Sequence, residues 1–300
     1  MADSLVTRLG YPADARLVIF HADDVGVTHG SNRAFVELAA AGIVKSGSIM
    51  APCPWAAEAL ALCQEHPDLD VGVHMTLTCE WAGYRWGPLT TRNAASGLIQ
   101  EDGSFWPTVA EVHANADAAY AAVELRAQVE RVVTAGVAIS HLDSHMGVNW
   151  SPALFEIYAA LGRDYRVPVF YPQGQDAVMQ RIRPRQETQH ELAMRLLRQY
   201  GLPPVDHVRI TPAYTSEPPA SPSPEVYEAV LRGLGPGITH FALHPNAPGD
   251  IEALDRVNSR WRVFEYGYFQ STRLARFLEA EGIIPIGYRE LCNAMRQGVA

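Results

Sequence analysis

Four cysteines in 300 residues, none in a CxxC pair, are too few and too scattered for a disulfide framework. Cys53, Cys63, Cys79 and Cys292 therefore read as free thiols of a reducing compartment. No stretch of 18 uninterrupted apolar residues occurs, and residues 1–14 hold Asp3, Arg8 and Asp14 but no apolar core of the kind a secretion signal needs. The expectation is a cytoplasmic protein that spans no membrane. Basic residues are also scarce: 24 Lys and Arg against 33 Asp and Glu leave a net charge of -9, with no cluster to neutralise phosphates. Nucleic acid is not an expected partner. Internal repeats and low-complexity tracts are missing too. What remains is a chain 48% hydrophobic and long enough to bury a large core, read here as a single domain over residues 1–300.

Short apolar runs recur along that chain at 17–20, 47–50, 71–74, 138–142, 167–170, 207–210, 239–243 and 283–286. Segments of helical period follow them at 32–41, 55–65, 117–135, 152–165, 186–200, 224–234, 271–281 and 288–297, and Gly42, Gly136 and Gly201 stand just past three of these helix ends. Seven or eight strands alternating with helices predict an α/β fold with a TIM-like (β/α) barrel, distorted or seven-stranded, ahead of an open doubly wound sheet. Two segments interrupt the rhythm. Residues 78–107 carry Trp81, Tyr84, Trp86, Phe105 and Trp106 among glycines and prolines, and 211–224 is proline-rich, so both are expected as long surface loops.

Polar residues collect at the C-terminal ends of the predicted strands. The first runs into HADD at 21–24, the third ends in His74, the fourth in HLDSH at 141–145, and the run at 239–243 meets His244. In parallel α/β folds those ends form the rim on which ligand sites assemble. One carboxylate and two imidazoles suit a catalytic divalent metal, which keeps positions open for water and substrate. Adjacent carboxylates point apart on an extended chain, so one of Asp23 and Asp24 could bind the ion while its neighbour serves as base. The same set also matches the facial triad of non-haem iron oxygenases, or a binding protein without turnover.

Each of these residues has a plainer reading. Asp23 and Asp24 before Gly26 fit a turn or a helix cap, a lone buried histidine is commonly a core residue, and His141 with Asp143 could be a structural pair. Asp143 is read as orienting His145 or the nearby backbone. His21 and His240 are assigned to packing. Nothing is assigned to His29, His66, His113, His190 or His207. The aromatic residues of 78–107, Trp81 and Trp86 foremost, are read as stacking platforms for a sugar. Convergence of four segments on one rim favours the site.

The runs VIFHADDVG at 18–26 and NRA at 32–34, GVHMTLT at 72–78, HLDSH at 141–145, LHP at 243–245 and GYREL at 287–291 resemble the YdjC-like carbohydrate deacetylases, which include chitooligosaccharide deacetylase. The matches are collinear and cover nearly the whole chain. The resemblance implies a barrel-like fold, one divalent ion (Mg2+ or Zn2+, with Mn2+ or Co2+ as alternatives) on Asp24, His74 and His145, and removal of acetyl from an N-acetylated sugar. It further implies Asp23 as catalytic base and His244 as a neighbouring acid. Trp81, Trp86 and Asp143 are expected beside the substrate from their own positions, and a homodimer is an assembly open to the chain. After HLDSH the family usually continues with further histidines, where this chain has Met146, Gly147, Val148 and Asn149. The sugar preference does not carry over.

Overall fold

The computed structural model describes residues 4–174, 186–214 and 221–298. A short helix α1 (Leu5–Arg8) precedes β1 (Arg16–Val25), which is followed by α2 (His29–Ala41), β2 (Ser46–Ile49), α3 (Ala56–Glu65) and β3 (Asp70–Met75). Helices α4 (Val109–Asn115) and α5 (Ala118–Thr134) lead to β4 (Ile139–Ser144), then α6 (Pro152–Tyr165), α7 (Glu187–Tyr200), β5 (His207–Ile210) and α8 (Pro224–Arg232). The chain closes with β6 (Gly237–Leu243), α9 (Ile251–Leu254), α10 (Ser259–Tyr268), α11 (Thr272–Glu281), β7 (Ile283–Pro285) and α12 (Tyr288–Arg296). No described helix is long and apolar enough to cross a membrane, and all four cysteines are buried free thiols.

All strand pairs are parallel, in the order β4-β3-β2-β1-β6-β5, and β7 pairs with the start of β1. The arrangement is a distorted TIM-like barrel of seven strands whose regular ladder stays open between β4 and β5. The run at 167–170, expected as a strand, lies in that gap and makes one isolated bridge, Leu142 to Val169, continued by Pro172 to Val205. Its failure to form a ladder has a local cause: Pro168 and Pro172 have no N–H to donate. The proline-rich loop expected at 211–224 falls partly outside the described residues, at 215–220.

Side-chain alternation along β1 divides the core into two layers. Val18, Phe20 and Ala22 pack with the helices, whereas Leu17 and Ile19 join Phe170, Val208, Ile238, Ile286 and Tyr288 inside the barrel. The inward series continues upward as His21 and Asp23, both buried. Polar layers therefore sit on an apolar floor, and they lead to the C-terminal mouth.

The segment 78–107 folds back on itself through bridges of Thr78 with Trp106 and Ile99 with Phe105. Trp86 is buried there, its indole N–H donating to the Thr78 carbonyl at 2.8 Å. It is core, not platform.

Candidate metal centre and active site

Asp23 and Asp24 reach the same mouth because β1 breaks its alternation. Asp24 has φ +63°, and the pairing of β1 with β2 slips between Ala22 and Val25. A left-handed residue at a bulge turns the second carboxylate inward beside the first. The turn is held by Asn32, whose side-chain oxygen accepts from Gly26 N at 2.7 Å and whose amide donates to Trp55 O and Glu58. Asn32 can do this because α2 begins earlier than the sequence predicts, at a Thr28 cap.

Asp24 Oδ1 lies 3.5 Å from His74 Nε2 and 3.4 Å from His145 Nδ1, and the two imidazole nitrogens are 3.2 Å apart. Ligands about 2.1 Å from a common ion stand roughly 3.0–3.4 Å from one another in octahedral or tetrahedral geometry, so the triangle has the right size. The remaining atoms of the three residues are already committed. His74 Nδ1 donates to Asp143 Oδ2 at 2.7 Å, His145 Nε2 to Glu80 Oε2 at 3.1 Å, and Asp24 Oδ2 accepts from Arg262 Nη1 at 2.8 Å. Two imidazole lone pairs and a carboxylate oxygen without a hydrogen bond thus converge. A cation fits this donor set. Two other groupings, His21 with Asp23 and His240, and His74 with Asp23 and Asp143, contain N···O contacts of 2.6 and 2.7 Å. Those are hydrogen bonds, too short for two ligands of one ion.

The electrostatics agree. Burial opposes a charge on His74, but Asp143 and then Asp24 outweigh it and hold the ring well above the ordinary imidazole range. For His145 the same opposition, with Glu80 and Asp24 on the other side, ends at about 9. Burial would raise the Asp24 carboxyl, yet Arg262 and the two histidines keep it well below the usual range. The centre is built to hold positive charge.

Asp23 accepts at Oδ1 from the His21 ring at 2.6 Å and turns Oδ2 to His244 Nε2, 3.8 Å away. His244 Nδ1 meets Thr211 Oγ1 at 2.9 Å, and the Thr211 hydroxyl donates to Glu265 Oε1 at 2.6 Å. Burial brings His244 down to about 4, leaving the ring neutral near pH 7. Since Thr211 spends its one hydrogen on Glu265, it accepts from His244 Nδ1–H, and the His244 Nε2 lone pair faces Asp23.

A cavity of about 520 Å³ joins these groups. Asp23, Asp24, His74, Glu80, His145 and His244 line one side, and Met146, Trp150, Phe170 and Ile210 are among the apolar residues of the other. Asp143, expected beside the substrate and as a support for His145, instead supports His74 and is not among the lining residues. Trp81 and Trp86 are likewise absent from the wall. Trp81 packs under the Arg262 guanidinium, 5.5 Å from ring to Cζ. The residues after HLDSH form a tight turn, with Met146 at φ +51° and Gly147 at +60°, pinned by Asn149 on Ser144 and Met75 O. Sequence reasoning missed Arg262, Glu80, Tyr214 and Glu265, since none lies in a strand-end motif.

A TIM-like barrel with a two-imidazole, one-carboxylate centre at its C-terminal mouth defines the class. Within it, the chain belongs to the YdjC-like family, whose model, described as "YdjC-like protein", matches residues 17–280. It is 36% identical to a carbohydrate deacetylase of Brevibacillus brevis over 155 residues, 52% of this chain and 59% of that protein. A carbohydrate deacetylase of Thermus thermophilus is 33% identical over 170 residues, 57% of this chain and 58% of that one. The aligned part thus spans less than two thirds of the curated relatives' length. Among solved structures, a proposed cellobiose-phosphate cleavage protein of Enterococcus faecalis V583 shares the fold, with TM-score 0.74 and 21% identity over 92% of this chain and 99% of that chain.

Proposed function

We propose that this protein removes the acetyl group from an N-acetylated sugar, releasing acetate and a free amine. The observation that carries the reading is the placement of two adjacent carboxylates, Asp24 in the group with His74 and His145 and Asp23 beside it on the cavity wall. The names of the relatives supply the substrate class. Asp24, His74 and His145 would hold one divalent ion, and the two imidazoles favour Zn2+ over Mg2+, with Mn2+ and Co2+ as further ions the set accepts. Such an ion polarises an amide carbonyl and acidifies water beside it.

The chain's own groups do the rest. Asp23 takes the proton of the attacking water as oxygen bonds to the acetyl carbon. Arg262 Nη2 donates to the Tyr214 hydroxyl at 3.0 Å while Nη1 holds Asp24, which puts that hydroxyl beside the centre, where its own hydrogen would donate to the substrate oxygen. When the C–N bond breaks, the proton taken by Asp23 passes through the His244 Nε2 lone pair to the departing nitrogen. Trp150 on the apolar wall offers a face for the C–H surface of a pyranose.

Acetate release from N-acetylglucosamine and its oligomers, measured beside the elemental content of the purified protein, tests the reading. A protein carrying stoichiometric metal that frees no acetate from any of them would overturn it.

A further inference from the structure

Behind Asp23 lies a row of buried polar groups that the reaction above does not use. His21 Nε2 faces His141 Nε2 at 2.7 Å, His141 Nδ1 meets Ser140 Oγ at 2.8 Å, and Ser140 Oγ stands 3.2 Å from Val71 O. Both rings are inaccessible to solvent. We propose that His21, backed by His141 and Ser140, is a positioning residue that fixes one oxygen of Asp23 and leaves the other turned to the cavity; this rests on the reading of Asp23 as base.

The argument is one of hydrogen counting. Two facing Nε2 atoms share a single hydrogen, so the tautomers of His21 and His141 are locked together. If Ser140 donates to His141 Nδ1, then His141 Nε2–H donates to His21 Nε2, and His21 Nδ1–H donates to Asp23 Oδ1. Every group is then neutral except the carboxylate, which only accepts. In the opposite polarity Ser140 donates to Val71 O, His141 Nδ1–H to Ser140, and His21 Nε2–H to His141. A neutral His21 would then face Asp23 Oδ1 with its Nδ1 lone pair at 2.6 Å, a contact that requires one further hydrogen between the two atoms. In either polarity one hydrogen lies between His21 Nδ1 and Asp23 Oδ1 and fixes that oxygen.

The barrel interior is shaped to fix this row. A Cβ on Gly72 would fall 2.4 Å from His141 Nε2, so the absent side chain makes the space the ring occupies. Tyr288 stacks on the same ring, with centroids 4.0 Å apart and planes 16° from parallel. Burial, with His21 nearby, holds His141 well below the imidazole range, consistent with a neutral link.

The test combines spectroscopy and kinetics. In the purified protein labelled with 15N-histidine, NMR should show a hydrogen on His21 Nδ1; a His21 ring carrying its hydrogen on Nε2 alone would overturn the proposal whether or not Asp23 is the base. His21→Leu should retain the wild-type metal content and KM while kcat falls roughly 10–100-fold. His21→Asn, whose amide N–H can stand where Nδ1 stood, should recover most of that loss. Gly72→Ala should lower kcat by displacing His141 alone. Wild-type kcat in His21→Leu, or no recovery in His21→Asn, would also overturn it. Unchanged kcat in Asp23→Asn would instead remove the underlying assignment of the base and leave the tautomer result standing.

Discussion

Arg262 Nη1 donates to Asp24 Oδ2 at 2.8 Å, while Oδ1 of the same carboxylate is buried and makes no hydrogen bond. The guanidinium thus neutralises and aims a carboxylate whose free oxygen belongs to the cation triangle. Removing one member of a buried ion pair costs about 3–5 kcal/mol because the survivor is left uncompensated. A divalent ion on Oδ1 would compensate Asp24 in place of the arginine. Arg262→Met should therefore lose about 3 kcal/mol of stability in chelator and much less in saturating Zn2+, as read by urea unfolding. An equal loss under both conditions would show that a cation at Asp24 does not take over the compensation the arginine provides.

Asp23 and the triangle residues should separate in two measurements. His74→Ala or His145→Ala should lose metal and activity together. Asp23→Asn should keep the metal and lose roughly 10²-fold or more in kcat, the effect of removing a general base. Tyr214→Phe should also keep the metal, with kcat lowered and KM little changed, as for a donor felt only in the transition state. Metal loss in Asp23→Asn comparable to that in His74→Ala would merge the roles that the backbone at Asp24 divides.

Much of this was legible because it follows from strand-end position. His74, His145, Asp23, Asp24 and His244 each close an apolar run, and a parallel barrel brings such ends together without further information. Arg262 was hidden because it projects from α10, far from any motif, and is identified only by where that helix docks. Glu80 and Tyr214 lie in irregular segments whose course no periodicity encodes. The aromatic residues of 78–107 misled for a physical reason: the loop closes on itself, so Trp86 satisfies its N–H within it and Trp81 turns to Arg262. His21 looked like a packing residue and His141 like half of a structural pair with Asp143, because the contact between their rings depends on distances between strands. The run at 167–170 looked like a strand because its prolines are compatible with extended backbone while denying it a ladder.

The exchange of platform between loop and wall has its own consequence. Trp150 lines the cavity, tilted against Phe170 at 5.6 Å and edge-on to Tyr171 at 5.5 Å between centroids. Trp150→Ala should raise KM about tenfold with kcat nearly unchanged, the loss of about 1.4 kcal/mol of stacking used equally in both states. Trp86→Ala should instead lower stability by about 3–5 kcal/mol and leave KM alone in the folded protein. The reverse pattern would return sugar binding to the 78–107 loop.

Glu265 gives the fold a pH dependence with a definite sign. Its carboxylate is fully buried and accepts from Thr211 Oγ1, from the Tyr227 hydroxyl at 2.7 Å and from His244 N at 2.7 Å. Burial raises its pKa from 4.5 to about 7, with those hydrogen bonds pulling the other way. In the unfolded chain it returns to the ordinary value, so between the two the folded state binds more proton than the unfolded one. The stabilisation is fully present below about pH 4.5 and is lost as pH rises through about 7, a fall of about 3 kcal/mol. Glu265→Gln titrates nowhere in this range. It should shift stability by a constant from the altered hydrogen bonds, but it should lack that slope. Urea unfolding of both proteins at intervals from pH 4.5 to 8 isolates the contribution, because every other titrating group is common to the two curves. The wild type should lose ground to the variant across the window and then run parallel to it above pH 8. Parallel curves throughout would mean that Glu265 is ionised in the folded protein at every pH tested, and that Thr211 and Tyr227 bind a permanent charge.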